Sequence, residues 1–348
     1  MKKQQNPKAS INETIVSESV TPEEERLFTS LRASSWNEFR GQEQAKKSLR
    51  VTIDASKKRG DAVEHILLYG PPGLGKTTLA HLIGKELGVN VKVTSGPAIE
   101  RSGDLAAILT NLSPKDILFI DEIHRLNKVV EETLYPAMED FALDIILGKG
   151  PSARTLRLDL PPFTIIGATT RAGLLSSPMR DRFGVILRLS FYKPEELEYI
   201  IERASEKLNI KIEPTAKKLL AQRSRGTPRI GLRLLKRVRD MADIKNTDII
   251  TEDILYDSFS LLDVDALGLD DSDRRYLSII IDKHNGGPIG IETLAAALSE
   301  DIGTLEEVIE PYLLQLGLIK RTPRGRVVTD EAYHHLQKPV PQRQNPLL

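Results

Sequence analysis

An apolar run, Ile66 to Tyr69, leads straight into Gly70-Pro71-Pro72-Gly73-Leu74-Gly75-Lys76-Thr77, and a helical pattern then runs from Thr78 to Leu87. Strand, glycine-rich loop and helix in that order leave few folds open. The loop glycines turn backbone N–H groups inward, and the start of the helix adds positive potential at the same spot, so the concavity suits phosphate oxygens. In this pattern Lys76 neutralises charge on the β- and γ-phosphates and the Thr77 hydroxyl coordinates Mg²⁺. Gly73, Gly75 and Thr78 complete the cradle. A glycine-rich connection without a ligand is the competing reading, and the ordered context disfavours it.

Further apolar runs, Val91 to Thr94, Ile117 to Ile120 and Thr164 to Ala168, alternate with helical patterns. They are continuously hydrophobic, as expected of a parallel sheet covered by helices on both faces. Asp121 and Glu122 close the run Ile117 to Ile120, at the edge where open α/β sheets bind ligands. Asp121 is suited to hold a Mg²⁺ shell and Glu122 to polarise an attacking water. Helix initiation is the plain alternative for this pair, and the phosphate loop argues against it. His124 is assigned no catalytic role.

The chain has 348 residues, enough for two or three domains. It has 0 Cys, so no disulfide, thiolate metal site or cysteine nucleophile is available. Lys+Arg 49 balance Asp+Glu 49, and nucleic-acid binding would therefore need a local basic patch. No apolar stretch approaches bilayer length and no secretory signal is present, which reads as a cytoplasmic protein with no membrane contact.

Residues 1–26 are polar and read as a tail, followed by an α/β domain over 27–190. Within it, Leu143, Ile145 and Leu147 alternate, Gly148-Lys149-Gly150-Pro151 interrupts, and Thr155 to Leu160 alternates again, a β-hairpin spanning 142–160. Its apolar residues Leu143, Ile145, Ile146 and Leu147 are expected to lie exposed unless a partner covers them. The sheet pattern then stops, and 191–262 reads as an all-α domain beginning with a helix from Pro194 to Asn209. Three helical stretches and two short strands around Thr322-Pro323-Arg324-Gly325 make 263–337 a winged helix, with 338–348 a second tail.

Taken together, Gly70 to Thr78, Asp121 to Leu126, Leu134 to Asp140, Gly167 to Gly173, Arg180 to Gly184, Gly226 to Arg229 and Arg321 to Arg326 resemble the AAA+ ATPases, and within them the RuvB family of Holliday junction branch-migration motors. The resemblance implies a P-loop core, an α-helical lid and a winged helix, with ATP and Mg²⁺ as cofactors. It makes Thr170 the sensor-1 residue, Arg182 the arginine finger acting on a neighbour's nucleotide, and Arg229 the sensor-2 residue of the lid. Arg180 competes with Arg182 for the finger.

Leu31, Arg32 and Tyr192 match adenine-pocket positions, and Glu139, Asp140 and Phe141 further nucleotide contacts. The resemblance also implies a homohexameric ring, docking of the junction-binding protein RuvA on the hairpin, cooperation with the resolvase RuvC, and action on four-way and duplex DNA. Arg321, Arg324 and Arg326 of the wing are the expected DNA contacts, since flexible cations bind phosphates without reading sequence. The helix Thr304 to Leu316 carries Glu306, Glu307 and Glu310 and is a poor groove reader. Two rivals remain: a clamp-loader-like switch, which would not need the hairpin and basic wing, and a nucleotide-regulated transcription factor, which would need base readout from that acidic helix.

Overall fold

The computed structural model describes residues 28–147 and 154–341. The expected tail at 1–26, the turn Gly148-Lys149-Gly150-Pro151 and residues 342–348 lie outside the described residues. The described chain divides into two compact units, one of Arg32–Glu196 and one of 197–341 together with 28–31.

The first unit is built on a five-stranded sheet. Its strands are β1 (Ile66–Tyr69), β2 (Val91–Ser95), β3 (Ile117–Asp121), β6 (Thr164–Thr169) and β7 (Val185–Arg188), in the order β2-β3-β6-β1-β7. All neighbouring pairs are parallel. The central strands β3 and β6 are buried almost end to end, which is why their sequences are unbroken apolar runs. The sequence pattern does not predict β7. As an edge strand it is covered on one side only, and Val185-Ile186-Leu187-Arg188 alternates between half-buried and exposed, so it lacks the continuous apolar signature of its neighbours. His65 ties three elements together. Its Nδ1 accepts from the Ile165 N–H at 2.9 Å, leaving Nε2 to donate to the Met138 carbonyl at 3.1 Å, and burial keeps the ring neutral.

Strands β4 (Ala142–Leu147) and β5 (Arg154–Asp159) form the antiparallel hairpin, with Leu143 opposite Leu158 and Ala142 opposite Asp159. Leu143 is not exposed as expected. It is fully buried in the cluster of Leu134, Met138, Leu160 and Phe163, with Leu158 packed alongside, so the hairpin's base is a wall of the core. Further out, Asp144 and Leu156 face solvent.

The second unit begins at Leu197, within the helix Pro194–Lys207, and continues with Pro214–Gln222, Pro228–Ile244 and Glu252–Leu261. These helices carry one feature the sequence did not suggest, a two-residue parallel pairing of β8 (Lys211–Ile212) with β9 (Ile249–Ile250). Residues before the first unit also belong here: Arg203 donates to the Leu31 carbonyl at 2.6 Å and Lys207 to the Ser30 carbonyl at 3.1 Å. Helices Asp271–His284 and Ile291–Leu298, then a helical stretch from Ile302 to Gln315 with a π-helical section at Leu305–Ile309, precede the wing. The wing is β10 (Ile319–Thr322) paired antiparallel with β11 (Gly325–Val328), and a last helix, Asp330–His335, covers it. A cluster including Leu277, Ile280, Leu294, Leu313 and Val328 forms this part's core.

Because Leu143 is buried, Leu143→Ala should lower stability by about 2–4 kcal/mol in chemical denaturation. A loss below about 0.5 kcal/mol, the usual range for surface positions, would contradict its place in the core.

Candidate functional site

The loop Gly70–Gly75 joins β1 to the helix Lys76–Leu87. Gly73 and Gly75 have φ of 78° and 96°, a left-handed conformation that side chains resist, so the reversal depends on these two residues. The helix has no side-chain cap and no acidic residue in its first turn. Its leading N–H groups are therefore directed at the loop with the positive end of the helix behind them. Lys76 adds a third positive feature. It is only 7% exposed, and its Nζ donates to the Gly70 and Pro71 carbonyls at 2.8 and 3.0 Å. Helix end, glycine cradle and buried ammonium converge on one place, and together they fit an anionic polyphosphate.

The strand ends beside the loop carry the carboxylates. Asp121 ends β3, and its Oδ1 accepts the Glu122 N–H at 3.1 Å. Glu122 itself sits at φ 45°, ψ 50°, an unusual conformation for a non-glycine residue. Its Oε2 accepts from both the N–H and the Oγ1 of Thr170, each at 3.2 Å, and lies 3.1 Å from His124 Nδ1. His124 Nδ1 is also 2.9 Å from the hydroxyl of Thr169, the last residue of β6. Burial works against ionisation of Glu122, but the His124 and Thr170 hydrogen bonds and the Lys76 charge outweigh it and hold the carboxyl below its ordinary range. Thr170 thus contacts the Glu122 carboxylate directly. His124, given no role from the sequence, is an orienting neighbour that only the three-dimensional meeting of β3 and β6 exposes.

Arg182 follows the short helix Ser177–Asp181. Its guanidinium lies 4.2 Å above the Tyr135 ring, its Nη1 donates to the Pro178 carbonyl at 2.6 Å and its Nη2 lies 3.0 Å from Glu139 Oε1. The platform is itself braced, because Tyr135 donates to Glu131 Oε1 at 2.6 Å. Tyr135 therefore joins the functional set, with no local signal beyond its spacing from Glu139 on one helix. Arg180, the rival, donates to the Leu175 carbonyl at 3.3 Å within its own turn. Glu139, Asp140 and Phe141 do not gather at the phosphate loop through their own contacts. Glu139 meets Arg182, Asp140 pairs with Arg157 at 2.9 Å, and Phe141 packs against His65 and Phe163.

Tyr192 is buried and donates to the Leu74 carbonyl at 3.1 Å, so it touches the loop from below, and burial pushes its phenol up. Arg32 lies near enough to His81 to lower the imidazole's proton affinity alongside burial. Leu31 is buried but belongs to the other unit. Arg229 occupies the first turn of the helix Pro228–Ile244, which Thr227 caps by accepting the Ile230 N–H.

Family models cover nearly all of the described chain. Residues 31–189 match "Holliday junction DNA helicase RuvB P-loop domain", 192–265 match "RuvB AAA lid domain" and 266–337 match "RuvB C-terminal winged helix domain". The chain belongs to the RuvB family. Among solved structures it is similar to the Thermotoga maritima RuvB Holliday junction branch migration motor, with 53% identity over 89% of this chain and 99% of that one at a TM-score of 0.83. A singly substituted form of Thermotoga maritima RuvB matches with 53% identity over 90% of this chain and all of that one, at a TM-score of 0.84. As a RuvB-type P-loop protein with this cradle, the chain binds nucleotide.

In the RuvB winged helix the three wing arginines are not equivalent. Glu310 is fully buried in the acidic helix and accepts from Tyr276 Oη at 2.8 Å, Arg321 Nε at 2.6 Å and Arg326 Nε at 2.9 Å. Arg326 Nη2 also bonds Glu306 Oε1 at 2.9 Å, and its side chain is only 13% exposed. Its charge is spent holding the wing against the helix. Arg321 is shared, since its side chain remains 45% exposed. Arg324 is exposed at the turn between β10 and β11, with Lys320 also exposed on β10.

Glu122→Gln should preserve nucleotide binding while lowering ATP turnover by about 10²–10⁴-fold, measured by phosphate release beside equilibrium binding. Unchanged turnover would remove Glu122 from the chemistry. In the wing, Arg324→Ala should weaken DNA binding and reduce the salt slope by about one while leaving the melting temperature unchanged. Arg326→Ala should instead destabilise the winged helix by about 3 kcal/mol, because Glu310 loses a buried partner. Equal stability and equal salt slopes for the two variants would refute this division of labour.

Proposed function

We propose that this chain is an ATP-driven motor that moves the branch point of four-way DNA junctions, assembled as a homohexameric ring whose active sites lie between neighbouring subunits. RuvB-family membership supports the motor activity, and the observation that carries the shared site is the seating of Arg182. The residues that hold it, Tyr135, Pro178 and Glu139, belong neither to the phosphate loop nor to the carboxylate pair. Glu122 is held instead by Thr170 and His124, with Lys76 lowering its carboxyl. An arginine presented elsewhere on the same unit is poised to complete a neighbour's site.

In this reading Lys76 and the loop N–H groups bind the phosphates, and Glu122 orients water with its carboxylate ready to accept a proton. Thr170, which already bonds that carboxylate, responds to the γ-phosphate. Thr77 and Asp121 supply hard oxygen ligands suited to Mg²⁺, which would neutralise phosphate charge when bound. A neighbour's Arg182 would stabilise charge in the transition state, a contribution of about 10³-fold or more. Glu139 pairs with the finger, and Glu139, Asp140 and Phe141 would be further nucleotide contacts. Tyr192 and Arg32 would contact the adenine, and Arg229 would respond to nucleotide state in the lid.

The hairpin's outer part, with Leu156 exposed beyond the anchored Leu143, is the proposed dock for RuvA, and RuvC would act on the same junction. Arg324, with Lys320 and Arg321, would carry the phosphate contacts of the wing. No helix among the described residues is long and apolar enough to cross a membrane. A cytoplasmic location accompanies this reading.

Two measurements test it. Mixing Lys76→Ala with Arg182→Ala protein should restore part of the ATPase activity, because a mixed seam joins an intact loop to an intact finger. No recovery at any ratio, with both variants assembling normally, would contradict the shared site. The wild-type chain with RuvA should move a four-way junction only when ATP is supplied; ATP turnover without movement of the branch point would favour a clamp-loader-like switch.

A further inference from the structure

The segment that leads into the Arg229 helix is fastened to the winged helix by a buried ion pair. Arg225 is 2% exposed and holds a left-handed φ of 52°. Its Nη1 and Nη2 reach Asp273 Oδ2 and Oδ1 at 2.8 and 3.1 Å, a two-pronged contact with a carboxylate that is fully buried. Asp273 lies in the first turn of the winged helix's leading helix, Asp271–His284. There it also accepts the Asp270 N–H at 3.1 Å, while Asp270 Oδ1 accepts the Asp273 N–H at 3.2 Å. The Arg225 guanidinium lies 4.9 Å from the centre of the Tyr312 ring, and Tyr312 donates to the Leu267 carbonyl at 2.7 Å.

The backbone is clamped two residues upstream. A side chain at Gly268 would begin 2.6 Å from the Arg223 carbonyl oxygen, so the start of the winged-helix domain lies directly against the chain there. Arg223 in turn lies over the Phe259 ring at 4.3 Å. Burial pushes the Asp273 carboxyl up while the Arg225 guanidinium opposes it. A buried pair of this kind adds little net stability compared with apolar packing, but it permits only one arrangement of its partners.

We propose that the Arg225–Asp273 pair is a rigid joint that makes the Arg229 helix and the winged helix one moving body, so that a nucleotide-driven rotation of the lid is delivered to DNA without loss. Arg225 and Asp273 are positioning residues: both are buried, and they act through the elements they join. Only Gly226 and Thr227 separate Arg225 from Pro228, and Thr227 caps the helix, so little chain is available to absorb motion between the sensor and the joint. The delivery of motion to DNA rests on the motor reading above, whereas the rigidity of the joint does not.

The absence of cysteine makes the rigidity directly measurable. Spin labels on Lys218→Cys in the lid and Glu292→Cys in the winged helix, both exposed positions, should give one narrow distance that is the same with ATP analogue, with ADP and with junction DNA. A distance that changes with nucleotide in the otherwise wild-type chain would overturn the joint. Adding Asp273→Asn, which keeps the side chain's shape and removes its charge, should broaden that distribution. It should leave basal ATPase and junction affinity near wild type while reducing branch-point movement per ATP by about tenfold.

Movement that falls only in proportion to ATPase or DNA affinity would refute the coupling role. If Asp273→Asn fails to fold, Arg225→Met combined with Asp273→Leu replaces the pair by apolar packing and should recover both the narrow distance and the coupling. A narrow distance in that double variant without coupling would also refute it. Failure of the wild-type chain itself to move junctions would count against the motor reading and leave the distance measurement to judge the joint.

Discussion

The guanidinium of Arg182, stacked on Tyr135 and paired with Glu139, is the contact on which the account turns. A phosphate loop, a buried lysine and an oriented carboxylate can bind and align a nucleotide. The charge that spreads over the transferring phosphoryl group needs a further cation, and phosphoryl transfer depends chiefly on such positioning and neutralisation. Arg182 is supported from below by an aromatic ring and from the side by a carboxylate, which keeps it oriented and desolvated at little entropic cost. Presented in this way on its own subunit, it makes assembly a condition of full activity in the proposed ring.

Much of this was legible in the sequence because its signals are local. The loop Gly70–Thr77 between an apolar strand and a helix, and Asp121-Glu122 at the end of another strand, follow from chain direction and the burial of parallel strands alone. The roles of Thr170, Arg182 and Arg229 came from family resemblance. What stayed hidden was set by contacts distant in sequence. His124 matters because β3 and β6 end side by side, and Tyr135 matters because a later turn brings Arg182 over its ring. Strand β7 carries no continuous apolar signature because an edge strand alternates. The alternation that marks Leu143 as exposed does not reveal that the Leu143–Leu158 pair is part of the core wall.

The wing illustrates how charge counting misleads. Arg321, Arg324 and Arg326 form one basic cluster in sequence, yet the buried carboxylate of Glu310 draws in two of them and leaves Arg324 at the tip. The acidic helix, poorly suited to reading a groove, is thereby the internal counterweight that fixes the wing's shape. A similar economy applies where the lid meets the winged helix: Arg225 would pass for one more surface cation in a basic segment, but it is among the most buried charges of the described residues.

The central claim, that catalysis belongs to a seam between two copies, is tested most directly by measuring ATP turnover per chain across a wide dilution series beside the oligomeric state at each concentration. Turnover per chain should collapse as the assembly dissociates, since dilution separates each cradle from its neighbour's guanidinium. A single dissociated chain that hydrolyses ATP as fast as the assembled protein would contradict the account.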